Sequence, residues 1–155
     1  IKPKPLVLEK KIISSTYIRS LLSKGDIKKT NKLLNRNWTI EGIVKRGRQE
    51  GKKIGFPTCN IDIKEYMIAM PGVYAVQVYQ RNSKKPLKAI ANLGYRPTFN
   101  QKTLLLEVNI FGLKSNLYNK IIKVSFLKFI RPEKKFKNVK QLIKQIKLDI
   151  KKSKK

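Results

Sequence analysis

Trp38-Thr-Ile-Glu-Gly-Ile-Val-Lys45 alternates, with Trp38, Ile40, Gly42 and Val44 on one side and Thr39, Glu41, Ile43 and Lys45 on the other. Period two is the mark of a strand with one covered face, and it sets this stretch apart from what precedes it. Upstream, Ser14-Ser15-Thr16 can cap a helix through Tyr17, Ile18, Leu21 and Leu22 that Gly25 stops, and a second short helix fits 26–34. Downstream, further strand candidates are 73–79, 87–93, 103–111 and 121–129, separated by Gly, Pro and Asn. Several short strands with few helices between them argue for an antiparallel barrel or sandwich. The ending is helical again. Val139, Leu142, Ile143, Ile146 and Ile150 share one face, so a helix can dock on the sheet while the intervening lysines stay in water. The lysine-rich tail from Lys151 is expected to fray.

Composition bounds the function. A chain of 155 residues, 41% hydrophobic, is long enough for one domain with a real core and is not a disordered basic tail. No apolar run approaches the roughly 18 residues of a membrane span. The single Cys59 excludes an internal disulfide, which fits a cytoplasmic chain, and the absence of His removes every role that needs an imidazole. The start at Ile1, without Met or a signal-peptide pattern, reads as a segment cut from something longer. Lys+Arg at 37 against Asp+Glu at 9 gives a net charge of +28, which points first to nucleic acid or an anionic surface. Of those basic residues, however, 30 are Lys and 7 are Arg, and bidentate readout of bases and phosphates is mainly Arg work. The lysines run from Lys2 to Lys155, as a solvated surface with no dedicated partner would have them. The competing reading is a basic small-barrel nucleic-acid binder, whose affinity would fall steeply with salt.

The densest feature is Gly47-Arg-Gln-Glu-Gly51-Lys-Lys-Ile-Gly55-Phe-Pro-Thr58-Cys-Asn60. Three glycines at four-residue spacing, with Lys52 and Lys53 between the last two, make a loop whose N–H groups could face phosphate oxygens. It is not a Walker A loop, because three residues rather than four separate its glycines and Pro57 soon follows. Thr58 and Asn60, two apart, point to the same face of an extended segment. A hydroxyl and an amide carbonyl are hard neutral oxygens, suited to a Mg²⁺ that keeps several waters and takes further ligands from nucleotide phosphates. The alternative is that Thr and Asn merely close a turn by bonding to backbone. Glu107 is the second feature, the one acidic residue between Glu65 and Glu133. In Leu104-Leu-Leu-Glu107-Val-Asn-Ile-Phe111 a carboxylate is costly unless it is paired or faces a solvated opening. It is either an ion-pair partner for a neighbouring Lys or a general base beside a substrate hydroxyl. A nucleic-acid binder has no evident use for it.

These residues carry a resemblance. Gly42-x-Val44, the loop ending in Gly-Phe-Pro-Thr-Cys-Asn60, Pro71-Gly-Val-Tyr74, Asn92-Leu-Gly-Tyr-Arg-Pro-Thr98, Leu106-Glu107-Val, Ile110-Phe111, Leu117-Tyr118 and Phe129-Ile-Arg131-x-Glu133-x-x-Phe136 resemble, in order, the riboflavin kinase domain of bacterial bifunctional riboflavin kinase/FAD synthetase. Ile13-Ser-Ser-Thr-x-Ile-Arg19, followed by Gly25-Asp26, is similar to the end of that enzyme's adenylyltransferase domain. The resemblance implies a mainly β chain: a small antiparallel Greek-key β-barrel of about six strands with a C-terminal helix over 38–155, and a short helical remnant of the preceding domain over 1–37. It implies transfer of the ATP γ-phosphate to the riboflavin 5′-hydroxyl, giving FMN and ADP. On this sequence Thr58 and Asn60 would hold Mg²⁺ and the nucleotide phosphates. Gly51, Lys52, Lys53, Gly55, Phe56 and Pro57 would form the phosphate loop, and Glu107 would be the base. Arg96, Thr98, Arg131, Glu133 and Phe136 would border the flavin. Cys59 stands where the family usually has Ala, and a small buried neutral thiol is expected there. An inactive remnant that keeps the fold is a third reading.

Overall fold

Ile40 and Val44 can leave water only if Thr39, Glu41 and Lys45 remain in it, so the alternation quoted above needs a sheet that is filled on one side. The computed structural model describes residues 7–8, 11–63, 69–81, 83, 85–97, 102–113 and 115–154. The described residues begin with an antiparallel pair, β1 (Val7–Leu8) and β2 (Lys11–Ile12), followed by α1 (Ser15–Ser23) and α2 (Ile27–Leu34). Ser14 caps α1 by accepting from the Tyr17 N–H, and Asp26 caps α2 by accepting from the Lys29 N–H. Gly25 turns the chain between them at φ 74°, a conformation that favours glycine.

Next come β3 (Thr39–Lys45), the one-turn α3 (Glu50–Lys53), β4 (Cys59–Asp62), β5 (Gly72–Gln80), β6 (Leu87–Pro97), β7 (Lys102–Ile110), β8 (Ile121–Pro132) and α4 (Val139–Ser153). Strands β3 to β8 close into an antiparallel barrel in the order β3-β4-β7-β6-β5-β8. The run β8-β5-β6-β7 is a Greek key, three consecutive strands with the fourth returning beside the first. Of the two architectures that strand spacing left open, the barrel is the one formed, as the family resemblance implied.

The barrel interior is filled. Ile40, Val44, Ile61, Tyr74, Leu93, Leu106, Val108, Val124 and Phe126 are all fully buried. Phe126 centres an aromatic group, 4.6 Å from the Trp38 ring and 5.1 Å from Tyr74 in an edge-on arrangement. The Tyr74 hydroxyl donates to the Met70 carbonyl, which satisfies the one polar atom of that ring. Leu22 and Ile27 belong to the same core cluster. Asn31 donates through Nδ2 to the Phe126 carbonyl and accepts from the Trp38 N–H, so α1 and α2 are stitched to the barrel. Phe126→Ala removes a buried ring that nothing nearby can replace, and about 3–5 kcal/mol of stability should be lost, read from denaturant unfolding midpoints.

Two departures from the periodicity reading have physical causes. Strand β4 has only four residues, and β1 and β2 have two each, too short for alternation to show. Helix α4 forms as expected, but its one buried residue is Asp149, while the aliphatic Leu142, Ile143, Ile146 and Ile150 are half-buried and Val139 is exposed.

Candidate active site

Directly paired residues of an antiparallel sheet share a face, and the register lines up one chemically mixed row. Lys45 pairs with Asn60, Asn60 with Glu107, Glu107 with Asn92, Asn92 with Val73, and Val73 with Arg131. One row therefore crosses all six strands on the outer face, while the neighbouring row of Val44, Ile61, Leu106 and Leu93 points into the core. Glu107 sits on this polar side of an apolar strand because Leu104, Leu106, Val108 and Ile110 take the inner positions. Arg131 joins the row through a register shift between Val73 and Tyr74, where β8 spends an extra residue. Bulges of this kind re-aim side chains near functional sites.

Two cavities lie nearby; Val73, Asn92, Glu107 and Arg131 of the row line the first, no member of the row lines the second, and Asn60 lines neither. The first, about 380 Å³, lies between the barrel and α4. Its floor is Val73, Ile90, Ala91, Asn92, Glu107 and Asn109, and α4 supplies Leu142, Ile146 and Asp149. The end of β8 adds Arg131, the chain beyond it Glu133, Lys134 and Phe136, and the glycine loop adds Glu50, Gly51, Ile54, Phe56 and Thr58. The second, about 360 Å³, is lined by Val44, Lys52, Pro57, Thr58, Cys59 and Ile110, and by Leu113, Leu117 and Tyr118 beyond β7. Thr58 lines both. A wider polar groove of about 980 Å³ between Arg36, Glu41, Arg81 and Lys123 holds none of the residues singled out from the sequence.

Asn60 is 6% exposed and its Oδ1 has no hydrogen-bond partner among the described residues. A buried carbonyl oxygen left without a donor is costly; Asp62 Oδ1, two residues on in β4, is in the same condition. The 45–49 segment covers Asn60: a Cβ on Gly47 would stand 1.5 Å from Asn60 Nδ2. Asn109 donates through Nδ2 to the Pro57 carbonyl at 2.7 Å and so pins the peptide that leads into Thr58. The turn 49–56 is closed on itself. Lys52 and Lys53 donate to Gln49, Ile54 and Phe56 to Gly51, and Gly55 to Lys52. These five N–H groups are thus not the open phosphate donors that the glycine spacing suggests. Lys53 pairs with Glu50 at 3.1 Å on the surface, and neither Lys53 nor Gly55 lines a cavity described here. Gly55 instead serves the turn, at φ 86°. Burial pushes the Cys59 thiol above its ordinary value, so it stays neutral at physiological pH.

Of the residues expected near a flavin, Arg131, Glu133 and Phe136 meet at the first cavity. The Glu133 carboxylate lies over Gly94 of β6, where a Cβ would come within 2.0 Å of it. Arg96 is in β6 by its backbone, and Thr98 lies outside the described residues. Asn92, Asn109 and Asp149, to which no sequence motif gave a role, also line the first cavity, brought in by strand register and helix docking.

The riboflavin kinase family model matches residues 34–155. Bifunctional riboflavin kinase/FMN adenylyltransferases from Bacillus subtilis and from Buchnera aphidicola of Acyrthosiphon pisum are 38% and 40% identical, over 93% and 97% of this chain. The match takes in 46% and 48% of those proteins, so the chain spans about half the length of the curated relatives. A solved structure from Streptococcus pneumoniae, described as a macrolide-efflux protein, superposes with a TM-score of 0.87 at 36% identity, over 97% of this chain and 49% of that one. Riboflavin kinase from Trypanosoma brucei shares the fold, with a TM-score of 0.53 at 21% identity over 75% of this chain and 76% of that one. With its closed barrel, its outward Glu107 and a family match that begins just before the first barrel strand, the chain belongs to the riboflavin kinase family.

Proposed function

We propose that this chain transfers the γ-phosphoryl group of ATP to the 5′-hydroxyl of riboflavin, giving FMN and ADP. The observation that carries the reading is the pairing of buried Asn60 with Glu107, which lines the helix-side cavity, while Thr58, two residues before Asn60, lines both cavities. The helix-side cavity offers Ile54, Phe56, Val73, Ile90, Leu142 and Ile146 to a flat, largely apolar ring. The cavity bounded by Lys52, Pro57 and Tyr118 is left for the nucleotide, with its phosphates toward Thr58. The reacting groups would then meet at Thr58.

Among the described residues no group of three or more His, Cys, Asp or Glu could hold a metal by itself. The orphaned Asn60 Oδ1 and the Thr58 hydroxyl nevertheless fit Mg²⁺, which is content with few protein oxygens when phosphates and water supply the rest. Bound there, Mg²⁺ would neutralise charge on the phosphates. Glu107 orients the riboflavin hydroxyl. As the new bond to phosphorus forms and the bond from phosphorus to the β-bridging oxygen breaks, the hydroxyl proton passes to the Glu107 carboxylate. That transfer is late, because a primary alcohol is far too weak an acid to be ionised by a carboxylate beforehand. Asn109 holds the Thr58 end of the site in register with the strand that carries Glu107.

Residues 1–37 are read as the remnant of an adenylyltransferase domain and 38–155 as the kinase module of a parent that also converts FMN to FAD. This rests on the bifunctional relatives being about twice as long. A cytoplasmic setting fits the single neutral thiol and is proposed on that ground. Efflux, the activity in the description of the Streptococcus pneumoniae structure, is not proposed. The described residues hold no helix long and apolar enough to cross a membrane, and the barrel is packed with side chains rather than open. The nucleic-acid reading is not supported by the family match. Incubation with riboflavin, ATP and Mg²⁺ should yield FMN by chromatography, and chelating the metal should abolish it. No FMN above the protein-free control, from folded protein, would overturn the proposal and favour an inactive remnant.

A further inference from the structure

Helix α4 presents Leu142, Ile146 and Asp149 to the helix-side cavity, a stripe of helical spacing in which the third member is an acid. Asp149 is 1% exposed. Both of its oxygens are engaged: Oδ2 accepts from Arg131 Nε at 2.8 Å, and Oδ1 accepts from Gln145 Nε2 at 2.8 Å. Arg131 in turn donates through Nη1 to the Pro132 carbonyl, and its guanidinium stands 5.7 Å from the centre of the Phe136 ring. Stability is a poor reason for such an arrangement. A buried ion pair roughly breaks even against a well-packed apolar pair of the same size, and an aliphatic residue would continue the stripe. What the pair supplies is direction. A carboxylate held from two sides fixes the plane of the guanidinium, which a lone charged side chain at a cavity rim would not do for itself. The guanidinium then orders the chain from Arg131 to Phe136 that forms the rim.

We propose that Asp149 is a positioning residue for riboflavin, acting through Arg131 to hold the 131–136 rim in the shape that admits the flavin ring. The proposal rests on the kinase reading above. It does not place Asp149 against the reacting atoms. Removing the charge without changing the volume, Asp149→Asn, should raise the KM for riboflavin about 10-fold, the effect of losing one charge-assisted hydrogen bond. The KM for ATP should stay near its wild-type value, and kcat at saturating riboflavin should fall by much less than 10-fold. Arg131→Gln should raise the riboflavin KM similarly, and the double variant should be no worse than Arg131→Gln alone, since one residue works through the other. Should Asp149→Asn fail to fold, Gln145→Met, which removes one of the two donors and keeps the ion pair, should still raise the riboflavin KM by a few-fold. An unchanged riboflavin KM in the folded variants, equal losses in both KM values and kcat, or fully multiplicative effects in the double variant would overturn the role of Asp149 while leaving the kinase reading intact. Absence of FMN from the wild-type chain would overturn the kinase reading itself, and this proposal with it.

Discussion

Glu107→Gln lowers turnover by about 10²-fold or more at nearly unchanged volume, in the range of a lost acid–base residue. The substitution keeps an acceptor oxygen and removes the group that takes the proton. Riboflavin binding, followed by the quenching of flavin fluorescence, should therefore change little while FMN formation collapses. The side chain lies on the floor of the helix-side cavity, opposite both Asn60 and Asn92. A surface ion pair would behave differently, because removing it typically shifts stability by less than about 1 kcal/mol and leaves chemistry alone. Near-native turnover in this variant would remove Glu107 from the mechanism.

The second large effect is expected at a residue with no side chain to offer a substrate. Gly47→Ala puts a methyl group 1.5 Å from Asn60 Nδ2, far inside van der Waals contact. Asn60 is buried between paired strands and has little room to yield, so its amide must turn or the loop must lift. Either movement displaces Oδ1, the atom proposed as a Mg²⁺ ligand. Gly47→Ala should therefore resemble Asn60→Ala, each lowering kcat/KM for ATP by about 10–100-fold, the scale on which disturbing a ligand or its support acts. Both should shift the Mg²⁺ dependence to higher concentration. An unchanged metal requirement in Asn60→Ala, with the fold intact by circular dichroism, would return Asn60 to the role of closing a turn.

Much of this was open to reading from residue order, and the boundary is physical. Alternation marks β3, β5, β6, β7 and β8 because each is long enough to repeat its pattern several times. The lone carboxylate in Leu104–Phe111 and the Thr58-x-Asn60 spacing stand out because each breaks a local rule that a purely structural segment would keep. Asn92 and Asn109 are different. They are ordinary polar positions along their strands until the register sets Asn92 beside Glu107 and carries Asn109 to the Pro57 carbonyl, and no local pattern encodes that pairing. Asp149 falls at helical spacing from Leu142 and Ile146, but residue order does not name its partner, and only the docking of α4 brings it to Arg131. The charge excess was the least informative feature. The groups proposed to build the site are scarce acids and neutral amides, and among the described lysines only Lys52 and Lys134 line either of the two cavities that share Thr58.

The central claim is that phosphoryl transfer takes place beside Thr58, the residue the two cavities share, with Asn60 and Glu107 paired next to it on the outer face of the barrel. A crystal structure with ADP, Mg²⁺ and riboflavin tests it most directly. The account predicts the metal at coordination distance from Asn60 Oδ1, about 2.1 Å, the flavin ring against α4, and the riboflavin 5′-oxygen within hydrogen-bond reach of Glu107. A metal held away from Asn60, or a flavin whose 5′-oxygen lies beyond the reach of Glu107 in the ternary complex, would contradict it.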